Sequence, residues 1–414
     1  MRKDESRPNI VLVFMDDMGY GDMGCFGSDI IRTPNMDRVA SEGIRFTQMY
    51  AASSVCSPSR TGLLTGRQPQ RVGIERVLFP QDTRGIPDSE RTVADDLRDL
   101  GYRTAMAGKW HMGCRPEQNP VRHGFDSYFG LLYSNDMNPL ELYRDETVIE
   151  SAVDQALLTR RYTDEIIRFI EESKGQPFFT YLAHTMPHIP LHVEPDFRGI
   201  SDAGTYGDTI ECIDYHLGRI LERLDKMGLS DNTIVMVTSD NGPWYEGSTG
   251  GLRGRKFDLY EGGIRMPFVA RWPRVVEPGS VCNEVASLLD IRSTLTRCGG
   301  GDAPEGVDGV DLTPALQGDH LPERDGLYWY QGWNPNAMRM GRWKLHVGAR
   351  GDLRAAEEMP HLFDMETDPT ESYSVSEKHP EIVQKMLAMM EAFDRPIQMI
   401  KAEIERKESE DKGV

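Results

Sequence analysis

The chain has 414 residues, of which 39% are hydrophobic and 27% are charged, and its formal net charge is −19. This is an ordinary globular composition, and the length suffices for one large domain or for one large and one small domain. The negative charge argues against nucleic acid and anionic membranes as partners, and no apolar run is long enough for a transmembrane helix.

The chain starts with MRKDESRPNIVLVFMDD, where the apolar run ends at Asp16 and Asp17 and no small-residue cleavage site follows. This pattern indicates a first β-strand and not a secretory signal peptide. We therefore expect a cytoplasmic protein. A periplasmic or secreted protein is the alternative, if a signal was removed before the numbering begins.

Four apolar segments have the composition of buried strands: residues 9–15 (NIVLVFM), 103–108 (RTAMAG), 177–183 (PFFTYLA) and 232–239 (NTIVMVTS). Their apolar residues run continuously more than they alternate, which favours strands that are covered on both faces. Helical patterns separate these segments. Strands that alternate with helices predict an α/β sandwich around a large, mostly parallel sheet.

The pattern changes after about residue 300, where a loop rich in Gly and Asp precedes short strand-like pieces and the helical segment HPEIVQKMLAMMEAFDR. We predict a small antiparallel sheet with one helix, packed against the main domain. The predicted division is an α/β domain over residues 8–310, a C-terminal subdomain over 311–400 and a charged, frayed tail over 401–414.

Polar residues follow each of the four predicted strands. They are Asp16 and Asp17, Lys109 and His111, His184 and His188, and Asp240 and Asn241. Ligands of open α/β sheets bind at the carboxyl ends of the strands, so we expect these side chains to converge on one edge.

The acidic part of this set offers hard oxygen atoms from Asp16, Asp17, Asp240 and Asn241. Three adjacent carboxylates would repel one another strongly without a cation, and all-oxygen ligation favours calcium, with magnesium second, over zinc. The basic part consists of Arg60, Lys109, His111, His188 and Lys256. A metal ion with fixed cations suits a tetrahedral oxyanion, either sulfate or phosphate.

The stretch SSVCSPSRTG contains Cys56, one of six cysteines, none of which pair at the C-x-x-C spacing of a zinc site. We predict Ser57 as the N-cap of a helix that starts at Pro58 and ends at Gly66, with Cys56 beside Arg60. From the residues alone, Cys56 is either a packed thiol or a nucleophilic cysteine. A thiol phosphatase is excluded because it needs a longer loop between Cys and Arg.

The segment CSPSRTGLLTGR, residues 56–67, matches the sulfatase signature C-x-P-S-R with its trailing L-T-G-R. Other segments in family order are RPNIVLVFMDDMGYGDMGCFG, GYRTAMAGKWHMG, TSDNG, LRGRKFDLYEGGIRMPFVARWP and HLFDMETDPTE. Over residues 8–395 the chain resembles type I sulfatases, the arylsulfatase A and N-acetylgalactosamine-6-sulfatase group of the alkaline-phosphatase-like superfamily. The resemblance implies the fold of that family and sulfatase activity.

The resemblance also implies that Cys56 is oxidised after translation to formylglycine, whose hydrated form, a gem-diol, attacks the sulfur of a sulfate ester. A formylglycine-generating or anaerobic maturation enzyme is then an implied partner. In the same resemblance, the calcium ligands are matched by Asp16, Asp17, Asp240 and Asn241, and modified Cys56 completes the set.

Four cationic and polar positions match family residues that contact the diol or the sulfate. Arg60 steadies the diol, and Lys109 bridges the diol and the sulfate. Lys256 grips the sulfate, and Ser134 lies near it.

Three histidines receive roles by the same resemblance. His111 deprotonates the diol when sulfate is eliminated, and His188 protonates the leaving oxygen, both suitable tasks for imidazole near neutral pH. His184 is packed or lies at the edge of the substrate site.

The predicted function is the hydrolysis of an aryl or carbohydrate sulfate ester. One alternative is a phosphonate monoester or phosphodiester hydrolase of the same superfamily. A second is a non-catalytic binder of sulfated glycans, which predicts an unmodified Cys56. Trp244, Tyr245 and Trp333 lie in segments that we expect to shape the substrate pocket, where they either stack on a sugar or aryl ring or serve as packing residues. No pattern indicates an oligomeric state.

Overall fold

The computed structural model describes residues 7–348 and 359–411. The strands of its main sheet are β1 Asn9–Met15, β2 Ile44–Tyr50, β3 Arg103–Lys109, β4 Ser127–Leu131, β5 Leu142–Arg144, β6 Thr147–Glu150, β7 Phe178–Ala183, β8 Thr233–Ser239, β9 Arg265–Arg271, β10 Ser280–Cys282 and β11 Ala286–Ser287. A second sheet contains β12 Leu327–Gln331, β13 Asn334–Met340, β14 Trp343–His346 and β15 His361–Asp364.

The helices pack on both faces of the main sheet and against the second sheet. They are α1 Pro34–Ser41, α2 Cys56–Thr65, α3 Pro69–Val72, α4 Val93–Asp99, α5 Leu158–Glu172, α6 Gly204–Lys226, α7 Glu261–Ile264, α8 Asp290–Cys298, α9 Thr313–Leu316 and α10 Pro380–Asp411. No helix in the described ranges is both long and apolar enough to cross a membrane.

The four strands predicted from apolar segments lie side by side in the order β8-β1-β7-β3, and each pairs with its neighbour in parallel. Successive residues of a strand point to opposite faces, so Leu12 of β1 packs into one hydrophobic cluster and Val13 into the other. Helices α2, α4 and α8 contribute to the first cluster, and α1, α5 and α6 to the second. The predicted α/β sandwich is confirmed.

The strand β9, near the middle of the main sheet, was not predicted from the sequence. β9 lies between β2 and β8 and is antiparallel to both. A proline within a run argues against a central strand, and this run contains Pro267. The pairing of β9 with β2 is irregular there, because Phe46 pairs with Phe268 and Met49 with Met266. The irregular register accommodates the residue that has no N–H to donate.

The C-terminal helix is longer than predicted. We expected a frayed tail from residue 401, but α10 continues to Asp411, and residues 412–414 lie outside the described ranges. Opposite charges four residues apart support this last part, as in the pairs Lys401–Glu405 and Arg406–Glu410. The charge pattern from which we predicted a frayed tail is therefore also compatible with an exposed helix.

The second sheet is antiparallel in the order β12-β13-β14-β15, and a buried ion network joins it to the main domain. Lys344 of β14 places its Nζ 2.9 Å from Glu261 Oε1 and 2.9 Å from Glu371 Oε1, and none of the three side chains is exposed. Tyr50 donates a hydrogen bond to Glu261, and His346 contacts Glu371. Despite burial, Lys344 and the nearby Arg339 and Arg265 lower the pKa of Glu261 to about 2, so this carboxylate is ionised.

The substitution Lys344→Met is expected to lower the free energy of unfolding by about 3–5 kcal/mol, because it leaves two buried carboxylates without their shared cation. Urea unfolding measures the change. The matched control is Lys226→Met, which removes an exposed partner of Glu222 and should cost less than about 0.5 kcal/mol. Equal, small effects of both substitutions would contradict the assignment of the network as a buried joint between the two sheets.

Candidate active site

The carboxyl ends of the four central strands bring the predicted polar residues together. Asp16 and Asp17 follow β1, Lys109 ends β3, and Asp240 follows β8. His188 lies a few residues beyond β7. The ten residues of the predicted catalytic and metal set are all buried, and they are Asp16, Asp17, Cys56, Arg60, Lys109, His111, His188, Asp240, Asn241 and Lys256.

The acidic residues form one hydrogen-bonded group. The backbone N–H of Asp17 donates to Asp240 Oδ1 at 3.1 Å, and Asn241 Nδ2 donates to Asp17 Oδ1 at 2.7 Å. Two oxygens of this group, Asp16 Oδ1 and Asn241 Oδ1, are buried without a hydrogen-bond partner among the described residues. Buried acceptors are almost always satisfied, so these two oxygens point to a missing ligand.

Each carboxylate of the group contacts a different cation. Arg60 donates from Nε and Nη2 to Asp240 Oδ2 at 3.1 and 2.9 Å, and Lys109 Nζ donates to Asp16 Oδ2 at 2.6 Å. Lys256 Nζ donates to Asp17 Oδ2 at 2.7 Å. The three pairs place three cations against three carboxylates, and all six side chains are buried.

These contacts act on the carboxyl pKa values in opposite directions. Burial alone would raise the pKa of Asp16, but Lys109 and Arg60 hold it well below its usual range. Burial raises the pKa of Asp240, and the neighbouring charge of Asp16 raises it further. A divalent cation between the carboxylates would remove this repulsion.

The residues present fit a hard divalent cation. Three aspartates and Asn241 supply oxygen ligands, and the two unpartnered oxygens belong to this group. Ligand atoms of Asp16, Cys56 and Asp240 lie within 4.8 Å of one another. The position that a modified Cys56 would occupy is therefore next to the candidate metal site.

The helix that carries Cys56 begins earlier than predicted. Cys56 is the first residue of α2, and the N-cap is Val55 in an extended conformation, so Ser57 is not the cap. The hydroxyl of Ser57 instead accepts a hydrogen bond from the backbone N–H of Leu78 at 3.0 Å, a partner that is distant in the sequence. Gly66 ends the helix in a left-handed conformation, as the sequence indicated.

Cys56 is 2% exposed, and its surroundings keep the thiol protonated. Burial raises the pKa of Cys56, although Lys109 and Lys256 oppose the shift. A thiol is a poor nucleophile compared with a thiolate. The structure therefore disfavours the alternative in which an unmodified cysteine performs the chemistry.

The two predicted catalytic histidines have defined tautomers, because each places one ring nitrogen against a carbonyl that can only accept a hydrogen bond. His111 Nε2 lies 2.9 Å from the Leu78 carbonyl, and its Nδ1 is buried without a partner. His188 Nδ1 lies 2.5 Å from the Ile189 carbonyl, and its Nε2 lies 3.7 Å from Asp17 Oδ2. Burial lowers the pKa of both histidines, so neutral imidazoles face the site.

Backbone strain is concentrated in this site. Asp17 and His111 have φ values of 66° and 63°, in the left-handed region that non-glycine residues rarely occupy. Such conformations cost of order 1–3 kcal/mol each and persist where the surrounding contacts fix them. No local sequence pattern marks either residue, because aspartate and histidine are common in ordinary loops.

The two predicted substrate residues differ in their surroundings. Ser134 accepts a hydrogen bond from Lys109 Nζ at 3.1 Å, so it belongs to the cluster. The side chain of His184 makes no hydrogen bond or ion pair with the acidic group within the described ranges. Burial, with a smaller effect of His216, lowers the pKa of His184 to about 3. A substrate role for His184 stays a prediction.

Asp22 is a supporting residue that the sequence analysis did not identify. Its carboxylate accepts hydrogen bonds from the backbone N–H of Gly19 at 2.8 Å, from that of Ser248 at 2.9 Å and from the Tyr206 hydroxyl at 2.6 Å. Asp22 thus ties the segment after β1 to the loop after β8. Its position in the segment DDMGYGD was visible in the sequence, but two of its three partners, Tyr206 and Ser248, lie more than 180 residues away.

The fold and the site together define a class of enzyme: a hydrolase that binds a tetrahedral oxyanion at the strand ends of an α/β sandwich. The sulfatase family model matches residues 8–301, and a model of the C-terminal part of N-sulphoglucosamine sulphohydrolase matches residues 254–395. The chain belongs to the sulfatase family, which hydrolyses sulfuric esters.

Individual relatives agree with this membership. Arylsulfatase A of Bos taurus is 36% identical and covers 94% of this chain and 89% of its own length. N-acetylgalactosamine-6-sulfatase of Rattus norvegicus is 37% identical over 82% of this chain and 71% of its own length. A solved structure from work on glycosaminoglycan metabolism by Bacteroides thetaiotaomicron has a TM-score of 0.88 at 28% identity, with 94% of this chain and 100% of that chain covered.

Proposed function

We propose that this sulfatase releases inorganic sulfate from an aryl or carbohydrate ester with calcium and with formylglycine at position 56. One observation carries the proposal. Cys56 lies in a buried site where three carboxylates each contact a cation, and where two ligand oxygens, Asp16 Oδ1 and Asn241 Oδ1, have no hydrogen-bond partner among the described residues. Formylglycine supplies an oxygen nucleophile, and calcium polarises the oxygen atoms around it.

The acidic residues Asp16, Asp17, Asp240 and Asn241 would hold the calcium ion. Lys109 and Lys256 contact Asp16 and Asp17, so their ammonium groups would be available to a sulfate if a calcium ion balanced these carboxylates. Ser134 lies within hydrogen-bonding distance of Lys109 and adds a hydroxyl donor on the same side. Arg60 keeps its hydrogen bonds to Asp240 and to the Lys109 carbonyl oxygen, the latter at 3.0 Å from Arg60 Nη1.

Proton movements are assigned to the two histidines. The unpartnered Nδ1 of His111 is the atom that takes a proton from the nucleophile side, since Nε2 is occupied by the Leu78 carbonyl. On the other side, the available nitrogen of His188 is Nε2, since Nδ1 donates to a carbonyl. Nε2 first takes up a proton, which the charge of Asp17 at 3.7 Å favours, and then passes it to the leaving oxygen. Both side chains are buried, so water does not compete for these protons.

The burial of Cys56 limits when a maturation enzyme can reach its thiol. All residues of α2 are buried in the folded chain, so an enzyme cannot reach the thiol there. We infer that a formylglycine-generating or anaerobic maturation enzyme acts on this segment before folding is complete.

Sulfate esters should be the preferred substrates. We expect kcat/KM for nitrophenyl sulfate to exceed that for phenyl phosphonate esters by about 100-fold or more, because the chain belongs to the sulfatase family and the site should stabilise the transition state of sulfate transfer. Parallel assays on one calcium-loaded preparation measure the ratio. A reversed ratio would assign the chain to phosphonate ester hydrolysis, and no turnover of either substrate by a matured preparation would favour the binding-only alternative.

A further inference from the structure

The loop between β8 and α7 borders a second feature, a cavity of about 760 Å³. We call it the loop cavity, and its walls include Trp244, Tyr245, Arg253, Arg255, Lys256 and Tyr260. Lys256 belongs both to this wall and to the active site, because its Nζ contacts Asp17. A group bound in the loop cavity is therefore next to the reacting sulfate.

Arg255 is the distinctive residue of this wall. Its Nη1 donates to the carbonyls of Trp244 and Gly247, both at 2.7 Å, and its guanidinium lies 5.5 Å from the centre of the Tyr245 ring. These contacts fix the group in place. No carboxylate within the described ranges pairs with it, although acidic residues outnumber basic ones by 66 to 47 in the chain. Burial raises the pKa of Asp22 and the charge of Arg255 opposes this rise, but Arg255 forms no salt bridge in the described ranges. A guanidinium that is held by carbonyls through one nitrogen keeps its other donors for an external anion.

Two aromatic rings complete the wall. Trp244 and Tyr245 meet edge to face with their centres 4.9 Å apart, and Tyr245 is 72% exposed. An exposed ring of this size gains little from folding and is typical of binding surfaces. Its apolar face suits the C–H face of a sugar ring, while the adjacent arginine suits an anionic substituent.

The loop is tied to the metal-ligand segment. Ser248 donates its backbone N–H to Asp22, and its carbonyl accepts from Gly21 at 3.0 Å. Arg255 directly precedes Lys256 in the chain, and both line the loop cavity. A group held by Arg255 would therefore belong to the substrate unit next to the one held by Lys256.

We propose that Arg255, with Trp244 and Tyr245, forms a subsite for an anionic group on the sugar that adjoins the hydrolysed sulfate ester. The inference rests on the proposed function and narrows it: the substrate is a saccharide with at least two anionic groups, and a simple aryl sulfate does not fill the subsite. The second anion is a sulfate or a carboxylate, since a guanidinium binds both through paired hydrogen bonds.

The test uses disaccharides that carry the same hydrolysable sulfate ester and, on the adjoining sugar, a hydroxyl, a second sulfate or a carboxylate. The readout is the ratio of kcat/KM with and without the second anion. We expect a ratio of about 10 to 100 in the unmodified enzyme for at least one anion, a value near one in Arg255→Met, and partial recovery in Arg255→Lys. A general loss of activity caused by a destabilised loop would affect both substrates and would therefore leave the ratio unchanged.

Nitrophenyl sulfate separates this inference from the proposed function. Turnover of nitrophenyl sulfate by the unmodified enzyme reports on the proposed function alone, because this substrate does not fill the subsite. In Tyr245→Ala, kcat/KM for the doubly anionic disaccharide should fall about tenfold. A ratio near one in the unmodified enzyme, or an unchanged ratio in Arg255→Met, overturns the subsite while sulfate release still supports the function. Failure to release sulfate from every substrate overturns the proposed function itself.

Discussion

Replacing Cys56 with alanine is expected to lower kcat/KM for sulfate ester hydrolysis by about 10⁴-fold or more, because alanine cannot be converted to the oxygen nucleophile. The substitution removes one sulfur atom from a buried position, so the folded state should persist. Circular dichroism and thermal unfolding check the fold, and sulfate release checks the activity.

The matched control for this prediction is Cys282→Ala, since Cys282 is also buried but belongs to a hydrophobic cluster away from the site. It should keep its activity within about twofold. Mass spectrometry of the peptide that contains residue 56 should show an aldehyde in place of the thiol in active preparations. Full activity with an intact Cys56 thiol would refute the formylglycine mechanism.

Asp240→Asn is expected to remove the response to calcium and to lower kcat/KM by about 10³-fold. The substitution withdraws one of three carboxylates, and calcium affinity depends on ligand charge. Calcium should raise the Tm of the chelator-treated parent protein by several degrees, because a ligand that binds only the folded state stabilises it. The same addition should leave the Tm of the variant unchanged, and magnesium should act more weakly than calcium on the parent.

Loss of the Asp240 carboxylate also removes one of the two ion pairs of Arg60, whose other partner is Asp16, so a control must separate the two effects. Asp290→Asn serves here, because Asp290 is buried and pairs with Arg324 at a distance from the acidic group. Asp290→Asn should lower Tm but keep the calcium response. A calcium-induced shift that survives in Asp240→Asn would exclude this carboxylate as a ligand.

The sequence alone predicted most of the central architecture. The strands β1, β3, β7 and β8 could be read from continuous apolar runs, because burial on both faces demands such runs. The polar residues that follow these strands could be placed on one edge for the same reason, since parallel strands end together. Asp16, Asp17, Asp240 and Asn241 were therefore expected to lie close together before any contact was known.

Other features depended on contacts between distant parts of the chain. Lys256 meets Asp17 across 239 residues, and Asp17 meets Asp240 across 223 residues. No local pattern encodes which cation pairs with which carboxylate. The start of α2 at Cys56 also depends on a distant contact, because the side-chain hydroxyl of Ser57 accepts a hydrogen bond from the Leu78 N–H and does not cap its own helix.

Local periodicity and the rules of parallel sheets are enough to predict the central strands and the chemical types of the residues at their ends. The left-handed conformations of Asp17 and His111, the central place of β9 and the fixed guanidinium of Arg255 depend instead on tertiary contacts. Each of these is stabilised by packing and hydrogen bonds from segments far apart in the chain, and such contacts override local preference.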